Sequence, residues 1–306
     1  MAATLAISGN TFRESVRQPV YWAITGITIA LMAMSAVFAA FALGEESKLV
    51  RDAGLTSITI AGVLLAIFLS SSVIADEIDK KTAFTILCES VHRFQFIFGK
   101  YVGIFCAIVV SYLILSISLL LTIWLFESPV KYGAVIGALF RGEVLDPRFV
   151  HPDYSLPDLI GKTVTFPTLL SLVARDFSAF TSFLFPNLAK GIVLSFCEVA
   201  VLSSAAVAAS TRASMIVNVC ITLSLFVLGH QIGYLLHILS AANVSFLPEV
   251  ARRTVPNFEL LNYASDIAFD RIVPIHLIGQ LIAYTIGWVT VFLLLAIALF
   301  DQREIA

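Results

Sequence analysis

Residues Ala75–Lys100, ADEIDKKTAFTILCESVHRFQFIFGK, decide how the rest of the chain is read. They hold Asp76, Glu77, Asp79, Lys80, Lys81, Glu89, His92, Arg93 and Lys100 between two long apolar runs, Ile58–Ile74 and Tyr101–Phe126. Charge of that density has no place in hydrocarbon, so the segment lies in water beside a bilayer. Phe84, Leu87, Val91, Phe94 and Phe98 recur at three- and four-residue steps, the spacing of one helix face. The stretch reads as a short amphipathic helix between two membrane spans. Such a helix can pack on the membrane, on its own bundle or on a partner protein.

The flanking runs make this a membrane protein. Of 306 residues, 59% are hydrophobic and 13% charged, against about 25% charged in an ordinary soluble domain. A soluble chain could not hide that much apolar surface. The fold class is therefore all-α, a polytopic membrane protein with six transmembrane helices. The net charge of −2 carries no information about partners, and nothing points to nucleic acid. The opening MAATLAISGN lacks the basic start and immediate apolar core of a cleaved signal peptide, so the first span is expected to stay in the mature protein. Cys106, Cys197 and Cys220 fall in apolar runs and Cys88 in the charged island, so they read as small buried hydrophobes and no disulfide framework is indicated.

In chain order, residues 7–19 read as a short helix along the membrane surface. Thr11 and Glu14 fit a capping box, Arg13 and Arg17 stand one turn apart for anionic headgroups, and Pro19 stops the pattern. The spans follow at about 20–43, 58–74, 101–126, 191–209, 214–239 and 276–300 in a single transmembrane domain. Gly44–Ser57 reads as a short polar loop, with Ser70-Ser71-Ser72 marking the exit of span two. The extracytoplasmic loop 127–189 holds six of the ten prolines and is long for a connection in a compact bundle. Its second half, between Pro167 and Pro186, has an apolar face of leucines and phenylalanines and a polar face with Arg175, and reads as an interfacial helix. An extracytoplasmic partner could act through this loop. Six spans put both termini on one side. Eight Lys and Arg in the short segments on the side of the termini, against five in the opposite short loops, favour termini inside.

Within this frame Glu77, Lys80-Lys81-Thr82, Leu87, Arg93 and Gly99-Lys100 resemble the pattern of permease subunits of the ABC-2 type transporter family. Ser90 and Lys81 depart from it, standing where proline and glycine are usual. Val255-Pro256-Asn257-Phe258-Glu259-Leu260-Leu261-Asn262 is similar to a Pro-Asn-x-Glu-x-x-Asn stretch before the last span of some of these permeases, which dips into the outer leaflet. The resemblance implies an export path built by two permease subunits, identical or mixed, in the bacterial cytoplasmic membrane with cytoplasmic termini. It implies a separate ABC ATPase in two copies, with ATP and Mg bound there and no cofactor in this chain. It assigns ATPase coupling to Glu77, Thr82, Phe84, Leu87, Val91, Arg93, Phe94 and Lys100, with Arg13 and Arg17 on the bracing interface helix.

No catalytic set and no metal site is read in this chain, which is not expected to be an enzyme. Gly161-Lys162-Thr163 lacks the first glycine of a phosphate-cradling loop, since Leu156 stands there. No Cys-x-x-Cys, His-Glu-x-x-His or compact Cys/His group occurs. His230 and His237, two turns apart in span five, suit hydrogen bonding within the bundle better than one shared metal. Glu198 lies inside span four, where a carboxylate is costly and normally faces the bundle interior or water. Asn218, across a tight turn, is its expected partner, both about a third of the way in from the inner face. Two roles stay open for Glu198 and Asn218, helix–helix glue or lining of the path. The alternative to a permease is a non-transport structural or scaffold subunit of a membrane complex, working through the 127–189 loop.

Overall fold

The computed structural model describes residues 2–39, 46–75, 93–141, 185–241, 254–269, 271 and 273–302. The helices are α1 (Ala2–Arg17), α2 (Pro19–Ala39), α3 (Glu46–Ser70, continued by a π-helical turn Ser71–Ala75), α4 (Arg93–Arg141), α5 (Phe185–Ser210), α6 (Met215–Ala241), the short α7 (Ala264–Ala268) and α8 (Ile275–Asp301). Six of the described helices are long and apolar enough to cross a membrane. No strand occurs among the described residues.

The bundle is centred on α5. Its stretch VLSSAAVAAS is rich in Ala and Ser, small residues that let neighbouring backbones approach where no hydrophobic force drives helices together in lipid. Ser203, Ser204 and Ser210 are buried, and each hydroxyl donates to the carbonyl three residues back, at 2.9, 2.7 and 2.8 Å. Those hydroxyls are satisfied within their own helix, so the helix needs no polar partner at these positions. Helices α3, α4, α6 and α8 pack around it, and α2 closes on α3 and α4. Between α2 and α4, Thr25 Oγ1 meets Ser111 Oγ at 3.1 Å and the Tyr21 hydroxyl donates to the Ala107 carbonyl. Outward faces of α2, α6 and α8 stay apolar, as with Trp22, Leu31, Val227, Ile286 and Leu294.

Several boundaries differ from the sequence reading. Residues 46–57, expected in a polar loop, form the first three turns of α3, with Val50, Arg51 and Leu55 buried. Hydropathy marks where hydrocarbon begins, but a helix can run on into the interface when its polar residues find partners. Here Lys48 lies over the Phe269 ring, 5.1 Å from its centroid, and α7 packs on α3. Helix α4 starts at Arg93 and runs through Pro129 to Arg141, 49 residues, so the first part of the expected 127–189 loop is helical. Pro186 stands in the first turn of α5, where its missing N–H costs nothing. Pro19 likewise opens α2, leaving Gln18 as the break after α1. The rest of the loop, including nearly all of the interfacial helix expected between Pro167 and Pro186, lies outside the described residues. Cys197 is buried as expected, but Cys106 and Cys220 face outward.

Before α8 the chain folds back into the bundle. Phe258 is fully buried, and its N–H donates to the Gly229 carbonyl of α6 at 3.0 Å. A Cβ on Gly229 would fall 2.2 Å from Phe258 Cδ2 and 2.8 Å from the Pro256 carbonyl oxygen, so the seat exists because residue 229 has no side chain. The Tyr284 hydroxyl accepts from the Asn257 N–H at 2.7 Å, fixing the segment to α8 as well. Gly229→Val is expected to unseat it. Amide exchange at Phe258 then rises towards the solvent rate, whereas unchanged protection would show that the segment is held elsewhere.

Candidate functional site: the charged end of the bundle and its buried polar groups

Helix α1 lies against the first turns of α4. Contact is close because Gly99 and Gly103, one turn apart, present no side chains. A Cβ on Gly103 would stand 2.5 Å from Thr11 Cβ and 2.7 Å from the Ser8 carbonyl oxygen, and one on Gly99 would stand 3.2 Å from the Thr4 carbonyl oxygen. Thr11 and Ser15 are fully buried in this seam. The capping box expected at Thr11 and Glu14 is therefore not formed. The helix begins nine residues earlier, at Ala2, and Thr11 is an interior packing residue. Glu14 instead approaches Lys100, Oε2 to Nζ 3.9 Å. Lys100 is 2% exposed, so it sits inside the joint between α1 and α4. Arg13 and Arg17 are both exposed on the outer face of α1.

Of the other expected coupling residues, Phe94 is exposed and stacks on Phe98, centroids 5.6 Å apart. Arg93 opens α4. Glu77, Thr82, Phe84, Leu87 and Val91 lie outside the described residues. The same end of the bundle carries the turn between α5 and α6 and the last turn of α8. Arg212 donates through Nε to the Leu299 carbonyl at 3.0 Å, and Phe300 stacks on Phe96 of α4.

Asn218 and Glu198 do not meet. Asn218 is fully buried and donates through Nδ2 to Ser71 Oγ at 2.7 Å and Ser70 Oγ at 3.2 Å, while Thr222 donates to its Oδ1 at 3.3 Å. It thus ties the start of α6 to the π-helical exit of α3. Next to it, Ser72 donates to Gln18 Oε1 at 2.9 Å, joining that exit to the break between α1 and α2. Glu198 stands midway along α5, about 18 Å of helix from its end at Ser210, and faces a different residue of α6. Its Oε1 lies 3.4 Å from His230 Nε2. One turn before it, Ser195 joins Thr59 of α3 at 2.7 Å and Tyr112 of α4 at 3.0 Å. The sequence reading put Asn218 and Glu198 at one depth, but Asn218 lies only three residues inside α6 whereas Glu198 lies twelve residues from the end of α5. That reading also missed the rotation of α6, which turns Asn218 to α3. His230 had been visible only as an intramembrane histidine. Among the described residues no group of three or more His, Cys, Asp or Glu side chains is placed to hold a metal ion.

A family model described as "ABC-2 family transporter protein" matches residues 5–305, nearly the whole chain. The chain belongs to the ABC-2 transporter family. Comparison with curated proteins gave no match. As an ABC-2 chain it is a multi-pass membrane permease subunit of an ABC transporter, a transport component that does not itself carry the catalysis. Membership also explains why the chain has no phosphate-cradling loop of its own, since the family implies an ATPase partner.

Proposed function

We propose that this ABC-2 permease is one half of an export path in the bacterial cytoplasmic membrane, with its termini in the cytoplasm. It pairs with a second permease subunit, identical or not. It takes its energy from a separate ATPase, present in two copies, that binds ATP and Mg. The ATPase docks on the charged island, using Glu77, Thr82, Phe84, Leu87, Val91, Arg93 and Phe94, with Arg13 and Arg17 beside it. The observation that carries this reading is the construction of the α1–α4 joint. Exposed Phe94 and Phe98, at the end of the island, stand in the first turns of α4, and α1 is locked onto the same turns by Gly99, Gly103 and Lys100. A force on the island therefore enters a stiff pair of helices rather than a loose loop. Nucleotide binding then acts as differential affinity for two states of the permease.

Crosslinking from single cysteines at Phe84, Val91 and Phe94 in native membranes tests this. Capture of a nucleotide-binding ATPase, with an efficiency that changes with ATP, is the expected result. Capture of other membrane chains alone would transfer the assignment to a scaffold. In the captured complex Arg93→Glu is expected to leave the fold intact and to separate ATP hydrolysis from transport.

A further inference from the structure

At the α5–α6 contact Glu198 buries a carboxyl group in the bundle. Glu198 is 2% exposed, and its Oε1 makes no hydrogen bond. The only ion-pair contact of this carboxyl among the described residues is His230 Nε2 at 3.4 Å. The other imidazole nitrogen is committed. His230 Nδ1 stands 3.1 Å from the Phe226 carbonyl oxygen, and a carbonyl only accepts, so Nδ1 carries a hydrogen. In a neutral imidazole that leaves a lone pair on Nε2, 3.4 Å from a carboxylate oxygen that also has only lone pairs to offer. Two facing acceptors, one of them charged and sealed in the bundle, are not a stable arrangement. One further proton removes the conflict, either on the carboxyl or on the ring.

We propose that Glu198 and His230 form an intramembrane proton-binding pair in which the buried carboxyl holds the proton and the imidazole is its exit. The side-chain exposures give the direction, since His230 is 22% exposed and Glu198 2%. Transfer is one proton from the Glu198 carboxyl oxygen to Nε2, giving a carboxylate and an imidazolium with no change in total charge. Loss of that proton from the ring to the surroundings leaves a net negative charge in the bundle, and uptake reverses it. Three other titratable groups lie on the surrounding elements. Tyr112 of α4 is engaged with Ser195, Cys197 of α5 is a thiol, and Glu259 of the fold-back segment is exposed beside Gly233 of α6. The pair also touches that segment, because the His230 ring lies between Phe226 and Phe258, with centroids 4.6 and 5.9 Å away. Proton occupancy is thereby linked to the contact that seats Phe258.

The inference deepens the assignment of this chain as a permease but is tested on the purified protein in lipid, with no ATPase, nucleotide or substrate, so its failure is separate from failure of the exporter reading. Infrared difference spectra at neutral pH are expected to contain a protonated-carboxyl C=O band that is absent from Glu198→Gln. Identical spectra would mean an ionised Glu198 and overturn the proposal. On transfer to heavy water the band shifts as the carboxyl exchanges. His230→Phe is expected to slow this exchange roughly tenfold or more, because the acceptor facing the carboxyl is replaced by a ring that cannot receive the proton. His230→Gln, which keeps a polar side chain against the fold-back segment, is expected to slow it similarly. Exchange at the wild-type rate in both variants would show another route to Glu198 and remove the role given to His230.

Discussion

Gly103→Val is expected to detach α1 from the body of the permease. The first atom of the new side chain would overlap Thr11 Cβ, at 2.5 Å, and the Ser8 carbonyl oxygen, at 2.7 Å. The second contact is with backbone, so no rotamer change in α1 relieves it. Overpacking of a tight contact costs about 1–3 kcal/mol when side chains can adjust, and a clash with a rigid helix backbone lies at or beyond the upper end. Release of α1 also uncovers Lys100, which is held in that joint opposite Glu14. The expected result is a lower Tm of the purified permease, faster proteolysis within residues 2–17, and loss of the co-purifying ATPase. Gly9→Val is the control. A Cβ at Gly9 meets nothing within 4 Å, so this variant should retain both the Tm and the partner. If Gly103→Val behaves like Gly9→Val, the joint does not hold α1.

The second large effect is expected at Asn218. Replacement by leucine removes two donated bonds to Ser71 and Ser70 and one accepted from Thr222. Polar contacts between membrane helices average about 0.6 kcal/mol, and a buried polar group left without a partner costs about 1–3 kcal/mol. The loss in stability is thus about 2 kcal/mol, enough to measure and too small to prevent assembly. The functional effect should be larger. The π-helical turn Ser71–Ala75 directly precedes the charged island, and Asn218 is the polar contact that joins that turn to α6. A cysteine introduced at Ile221, which is exposed one turn further along α6, reports the movement. Its maleimide reactivity should change with ATP in the otherwise unaltered complex and should cease to respond when Asn218 is leucine, while ATP hydrolysis continues. An undiminished response would reduce Asn218 to helix–helix glue.

Span order and span number were legible in the sequence because they depend only on how much apolar length a bilayer requires. Helix limits were less so, for the same reason. Lys48, Asp52 and Ser57 end a hydrocarbon segment but do not end a helix, and the contacts that carry α3 onward come from Phe269 and α7, more than 200 residues later in the chain. Thr11 and Glu14 match a capping pattern, yet the pattern records local preference, and the seam with Gly99 and Gly103 overrides it. That seam was itself visible as two glycines four apart, beside a Gly-Lys pair that drew attention to Lys100 as a surface group. Partner choice was the least legible. Asn218 and Glu198 are at different depths and on differently directed faces, and the rotation of a helix about its axis is set by all of its neighbours together. The fold-back stretch 255–262 was placed near the membrane by its resemblance to a family segment, whereas the cleft that receives it depends on one glycine, Gly229, in another helix.

The 49 residues of α4 are one continuous helix, about 73 Å long at the usual rise, against a hydrocarbon thickness of about 30 Å. It therefore has the geometry of a lever. Its short arm ends where α1 is clamped, α2, α3 and α5 form the fulcrum around its middle, and its long arm projects past the opposite face of the bilayer. A small tilt imposed at the clamped end would become a larger sweep at Arg141. The two aqueous sides of the membrane are thus geared to each other through a single element, with Pro129 as the place where that gearing would bend first.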